Sequence, residues 1–191
     1  MNIFVLDEDP IAAAKMYCDK HIPKMCVELL QQIGSAAIKH GAQPEQLPLA
    51  KATQKPIRGG YHHHPCTIWV SMSRDNYLWA VHHGAALCEE YTKRFGKEHY
   101  CANGIEILYG LSYLIPEGGL TPFALAMPDE YRPLTWTSKT TQEPLMRSCG
   151  DTAVQAYRRY YHSKAFAKWE KGRPMPNWFD VVKQAAIAND S

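Results

Sequence analysis

A chain of 191 residues, 46% hydrophobic and 21% charged, is long enough for one well-packed domain with elaborated loops. Its net charge of only +2 excludes a protein whose whole-molecule field alone demands nucleic acid. No apolar run reaches membrane-spanning length, and Asp7, Glu8 and Asp9 interrupt any signal-peptide pattern, so no membrane partner is expected and a cytoplasmic location is the default.

Ile3 to Leu6 read as a short extended segment. Asp9 followed by Pro10 is an N-cap and first helical position, which opens a helix predicted to run to about Lys39 and to end at Gly41. Ile11, Ala14, Cys18, Ile22, Met25, Leu29 and Ile33 recur at helical spacing and define its buried face. A second stripe carries Tyr17, His21, Lys24 and Glu28. Pro23 lies inside this pattern, where it removes a hydrogen bond to the Asp19 carbonyl and predicts a kink among Asp19, Lys20, His21 and Lys24. Residues 42–66, rich in Pro, Gly, Gln and His, read as loop. Trp69 and Val70 lead into a second long helix, about Asp75 to Phe95, with Leu78, Val81, Ala85, Cys88 and Phe95 inward and Gly96 as its C-terminal cap.

A third helix is predicted from about Gly104 to Leu114, before Pro116. Residues 116–150 form a long Pro-containing connection of the kind that usually serves function or moves. Its first half, with Thr121-Pro122-Phe123 and Met127-Pro128, is expected to pack on the helices and help wall the pocket, and its polar second half around Trp136 to Glu143 to form a mobile lid or a DNA-contacting loop. A fourth helix is predicted from about Thr152 to Lys171 between Asp151 and Gly172, and a short one follows Asn177. The fold class is mostly α: one compact helical domain over 1–191, with a short N-terminal extended segment and loop insertions at about 42–66 and 116–150.

The six cysteines show no CxxC spacing and read as small core residues in a reducing compartment. His62, His63 and His64 beside Cys66, and His82 with His83, offer zinc-binding atoms, but adjacent loop histidines do not set tetrahedral geometry. Neither a metal nor a cofactor is expected. Gly59-Gly60 lacks the Lys-Ser/Thr of a phosphate loop, and no GxSxG elbow is present.

What remains is polar. Asp19, Lys20, His21 and Lys24 cluster at the predicted kink and are the catalytic candidates: a carboxylate and an imidazole for proton transfer, with cations beside them. Arg74 and Asn76 open the second long helix, where free N–H groups favour an anion. Tyr157, Arg158, Tyr161 and Lys168 belong to a stretch in which Arg158, Arg159, Lys164, Lys168, Lys171 and Arg173 interleave with aromatic residues. Cations engage phosphates and aromatic faces stack on bases, so DNA is the expected partner.

Tyr17…Ile22-Pro23-Lys24, the segment Asp75-Asn76-Tyr77-Leu78…Cys88-Glu89-Glu90-Tyr91-Thr92-Lys93-Arg94-Phe95-Gly96, and Tyr157-Arg158-Arg159-Tyr160-Tyr161 follow one another in an order that resembles the phage pyrimidine-dimer DNA glycosylase (endonuclease V) family. The resemblance implies an all-α fold that kinks DNA and flips out a base, in a bacterial or phage-infected cell. That family uses the α-amino group of a Thr exposed by Met removal, and a Glu just before the Ile-Pro position. Here Asn2, whose size should keep Met1 in place, and His21 stand at those positions. The resemblance therefore implies a DNA-binding scaffold that presents a flipped pyrimidine without the imine-forming amine. Phage-type hypermodification chemistry fits such a scaffold: transfer of an amine or amino acid co-substrate onto an activated 5-hydroxymethylpyrimidine. His21 or Asp19 would be the base, and Lys20, Lys24 and Arg158 the cations that meet departing pyrophosphate. A glycosylase or abasic-site lyase using Lys20 or Lys24 is one alternative. A non-catalytic nucleic-acid-binding or phage interaction protein is the other.

Overall fold

Residues 3–6, predicted as extended, run buried through the interior without forming a strand, and the Leu6 N–H turns back to the Phe4 carbonyl at 2.9 Å before the first helix. The structure is a computed structural model, and it describes residues 2–132 and 152–179. Helix α1 spans Pro10–Met16, with the Asp9 carboxylate accepting the Ala12 N–H at 2.7 Å. Helix α2 spans His21–Lys39. The predicted single kinked helix is thus two helices joined by a turn. Pro23 falls in the first turn of α2, where a missing N–H leaves no intrahelical carbonyl unpaired, so the proline tolerates a helix start and the bend lies before it. The periodicity holds from Ala14 to Ile33, all buried at the predicted positions, but fails at Ile11, which is 46% exposed because α1 follows its own axis.

Helix α3 (Pro65–Val70) forms where the predicted loop meets Trp69, and α4 spans Arg74–Phe95. Ser73 caps α4 by accepting the Asn76 N–H at 3.2 Å, and Gly96 ends it at φ +69°, a left-handed conformation that suits glycine. Helix α5 (Ala102–Tyr109) stops five residues short of the predicted end and hands over to a 3-10 turn at Ser112–Leu114. Helix α6 (Ala153–His162) is capped by Thr152 and Gln155 and ends well before Lys171. Among the described residues there is no strand, only an isolated bridge between Leu49 and Pro56.

Helices α1, α2 and α5 all pack on α4, and α2 and α5 also touch each other. Gly84 makes this close approach possible: a Cβ there would stand 3.0 Å from Leu29 of α2 and 2.5 Å from Ile105 of α5. Ala85, predicted inward, is exposed in the cleft between α4 and α5. Four fully buried tyrosines pin the interior. Tyr17 donates to the Phe4 carbonyl at 2.8 Å, Tyr77 to that of Leu108 at 2.7 Å, and Tyr157 to that of Ala124 at 2.5 Å, while Tyr161 meets the His21 ring. The segment before residue 128 packs on the helices as predicted, with Phe123 5.3 Å from Trp69 and 5.2 Å from Trp79, ring to ring, but none of its residues lines the pocket beside α2. The predicted lid from Trp136 to Glu143 lies outside the described residues. No described helix is long and apolar enough to cross a membrane.

Candidate active site

The N-terminal segment, α2 and the end of α6 enclose a pocket of about 210 Å³, lined by Asn2, Phe4, His21, Lys24, Met25, Glu28, Tyr160, Lys164 and Phe166. Its position follows from helical spacing. His21, Lys24 and Glu28 stand three and four residues apart on α2, so all three project from one face. Glu28 is buried; one carboxylate oxygen accepts the main-chain N–H of Asn2 at 3.3 Å, and the other lies 3.4 Å from the Lys24 ammonium.

Asn2 is held by its side chain. Its amide donates to the Ala126 carbonyl at 2.6 Å, and its carbonyl oxygen accepts from the Cys66 thiol at 3.4 Å. The pocket walls are aromatic. Phe4 stacks on His21 at 5.1 Å between centroids, and Phe166 meets the same imidazole edge-on at 5.1 Å. The Lys164 ammonium lies 3.7 Å from the Tyr160 ring centre, and Lys20 lies 4.7 Å from that of Phe166.

Burial first, then the charges of Lys24, Lys164 and Lys20, push the His21 imidazole down from 6.5 to about 4. The ring is therefore neutral at pH 7. The Tyr161 hydroxyl accepts the Cys18 N–H at 2.9 Å and lies 2.7 Å from Nδ1 of His21. Burial raises Tyr161 well above its ordinary range, so the phenol keeps its proton and donates it to Nδ1. His21 then carries its own proton on Nε2. It is a weak base and a hydrogen-bond donor, and Glu28 is the pocket's carboxylate.

Of the sequence candidates, the structure brings His21 and Lys24 into the pocket wall, with Lys20 beside Phe166. Asp19 is elsewhere. Its carboxylate lies 3.0 Å from Arg94 and accepts the N–H groups of Glu170 and Lys171 at 2.6 and 3.1 Å, so it holds the segment after α6 in place. The predicted anion site at Arg74 and Asn76 is filled by the chain itself. The Arg74 N–H donates to the Pro116 carbonyl and its guanidinium pairs with Glu117, while the buried Asn76 amide bonds Trp69 and Thr121.

Tyr157 and Tyr161 are core residues, not stacking surfaces, because their hydroxyls find partners inside. Arg158 donates to the Leu6 carbonyl at 2.9 Å and faces Asp7 at 3.5 Å. Lys168 is exposed beside Glu170 at 3.6 Å. Asn2, Phe4 and Glu28 join the site without having been candidates, and Tyr160, Lys164 and Phe166 come to it from the basic and aromatic stretch. The signal for Glu28 was its place on the stripe with His21 and Lys24.

A family model described as pyrimidine dimer DNA glycosylase matches residues 1–102. The chain belongs to that family. The matched half carries Asn2, Phe4, His21, Lys24, Met25 and Glu28, whereas Tyr160, Lys164 and Phe166 come from beyond it. No curated protein and no solved structure matches the chain.

Proposed function

We propose that this family member acts on a pyrimidine nucleotide flipped out of DNA into the pocket between α2 and α6, and that Glu28 moves the proton. The observation that carries the reading is a buried carboxylate, in contact with a lysine ammonium, inside a pocket of one-base size with aromatic walls. Aromatic faces hold an unstacked base, and cations at the rim hold phosphate.

The chemistry that best uses these groups is transfer. An amine or amino acid attacks the exocyclic methylene of an activated 5-hydroxymethylpyrimidine. A C–N bond forms as the C–O bond to pyrophosphate breaks. Glu28 takes the proton from the amine, and Lys24 and Lys164 meet the charge on the leaving pyrophosphate. Neutral His21 offers a hydrogen bond from Nε2.

Glycosylase or lyase chemistry is the second reading, favoured by the Asn2 nitrogen lying 3.3 Å from Glu28. That nitrogen sits in the peptide bond to Met1, and an imine requires it, or Lys24, as a free amine.

The test is a pair of assays. DNA carrying pyrophosphorylated 5-hydroxymethylpyrimidine, incubated with an amine, should yield an adduct by mass spectrometry and free pyrophosphate, and Glu28→Gln should abolish both. Borohydride trapping on ultraviolet-irradiated or abasic DNA should give no cross-link. A cross-link with no adduct would establish the lyase reading. No product with any of these DNAs, despite binding, would leave a nucleic-acid-binding protein.

A further inference from the structure

On the far side of α2 from its ionic stripe, two thiols and an imidazole converge from three separate segments: Cys26 on α2, Cys88 on α4 and His99 between α4 and α5. One donor atom of each lies within 4.8 Å of the others, and all three residues are buried. We propose that these residues, with Cys101, bind one zinc ion that ties α2 to α4 and to the start of α5.

The donor set decides the metal. Thiolate sulfur and imidazole nitrogen together select zinc among the abundant divalent ions, and three cysteines with one histidine form a common closed structural set. Metal–sulfur bonds of about 2.3 Å put tetrahedral sulfurs about 3.7 Å apart, so side-chain rotation brings the present trio to that spacing. Cys101, fully buried and two residues after His99, is the cysteine placed to supply the fourth donor, although its thiol stands outside the present trio.

Its main-chain N–H donates to Nδ1 of His99 at 3.2 Å. Ligation through Nε2 requires the ring proton on Nδ1, so the Cys101 N–H gives up that contact as the site closes. The thiols lose their protons to solvent on binding, so affinity rises with pH. A route in exists, because Cys88 also lines the cleft of about 710 Å³ between α4 and α5.

Core packing alone would use these positions differently. Leu29 and Ile33, on the same helix, fill the neighbouring interior with hydrocarbon. A buried imidazole beside two thiols brings polar atoms that hydrocarbon would not have to satisfy.

The experiment uses the full chain expressed in zinc-supplemented medium and purified without chelator. Elemental analysis should find one zinc per chain. Cys88→Ser and His99→Ala should each cut this at least tenfold, while Cys66→Ser, a buried cysteine outside the cluster, keeps it. Cobalt(II) substituted into the unmutated chain should show thiolate-to-cobalt charge-transfer absorption and tetrahedral ligand-field bands, which decides the matter even if the variants fail to fold. The proposal fails if the unmutated chain holds no zinc and gives no cobalt–thiolate band. It fails equally if its intact mass reveals a disulfide in place of the free thiols.

Discussion

Asp19 and His21 are two residues apart, yet they serve regions of opposite character. Asp19 joins a closed ionic network: Arg94 pairs with Asp19 at 3.0 Å and Glu90 at 3.1 Å, Arg173 bonds Glu90, and Arg94 also donates to the carbonyls of Tyr17 and Lys15 at 2.7 and 3.0 Å. His21 faces a cavity with Lys24, Glu28 and Lys164 around it. Both places gather acidic and basic side chains, arginines with carboxylates in the network and lysines with a glutamate and an imidazole at the pocket. In the network the protein supplies every partner of the Arg94 head group, so the charges act as structure. At the pocket the polar groups keep partners of their own but also line a cavity, so they can meet a ligand. The network also positions the pocket, because Asp19 anchors residues 170 and 171 and thereby the chain that leads back to Phe166 and Lys164.

The sharpest way to break this comparison is to disable each region separately. Arg94→Ala removes the buried cation between Asp19 and Glu90, leaving Asp19 with main-chain N–H groups alone and Glu90 with Arg173 alone, and denaturant unfolding should show a loss of about 3 kcal/mol. Glu28→Gln should change unfolding free energy by less than about 1 kcal/mol while lowering turnover by roughly 10²- to 10⁴-fold. If Arg94→Ala is as stable as the parent, the network is not the structural half of the pair. If Glu28→Gln unfolds the protein, the pocket is not the chemical half.

The second difference lies in pH. Burial pushes both His21 and His83 down from 6.5 to about 4. Between these values the unfolded chain binds more protons than the folded one, so stability is full above pH 6.5 and falls as the pH drops toward 4. For the deeply buried His83 the loss approaches about 3 kcal/mol. Burial works to raise Glu90, but the hydrogen bonds of Arg173 and the charges of Arg94 and Arg173 outweigh it and hold the carboxyl low. Its contribution is present above the usual carboxylate range and disappears as the pH falls below about 4.5. Urea unfolding from pH 7 to 3 should decline in these two stages, and His83→Gln should flatten only the first. NMR titration of His21 with a midpoint near 6.5 would remove its neutral, donating role.

Smaller effects separate the cations. Lys164→Ala should weaken DNA binding and reduce the slope of log K against log salt by about one, if its ammonium meets one phosphate. Lys168→Ala, on an exposed pair with Glu170, should shift stability by less than about 0.5 kcal/mol and leave the salt slope unchanged. Equal effects at both positions would place the DNA path outside the pocket rim.

What the sequence by itself determined is local. Periodicity marked the buried face of α2, Asp9-Pro10 marked the start of α1, and Gly96 marked the end of α4, because each signal depends on residues within a turn or two of one another; of the predicted α4 stripe only Val81 and Cys88 are buried, since α4 is enclosed on more than one side. The stripe of His21, Lys24 and Glu28 was also legible, since helical spacing alone puts them on one face. Only the tertiary structure decided what those residues meet. Asp19 became an anchor when the segment after α6 brought N–H groups to it, and Tyr157 and Tyr161 left the predicted DNA surface when Ala124 and His21 supplied partners inside. Asn2 came to Glu28, and Cys26 to Cys88 and His99, across separations that carry no periodic signal. A side chain's type sets which partners it can take, but burial and the groups packed around it decide whether it is used for folding or kept for a ligand.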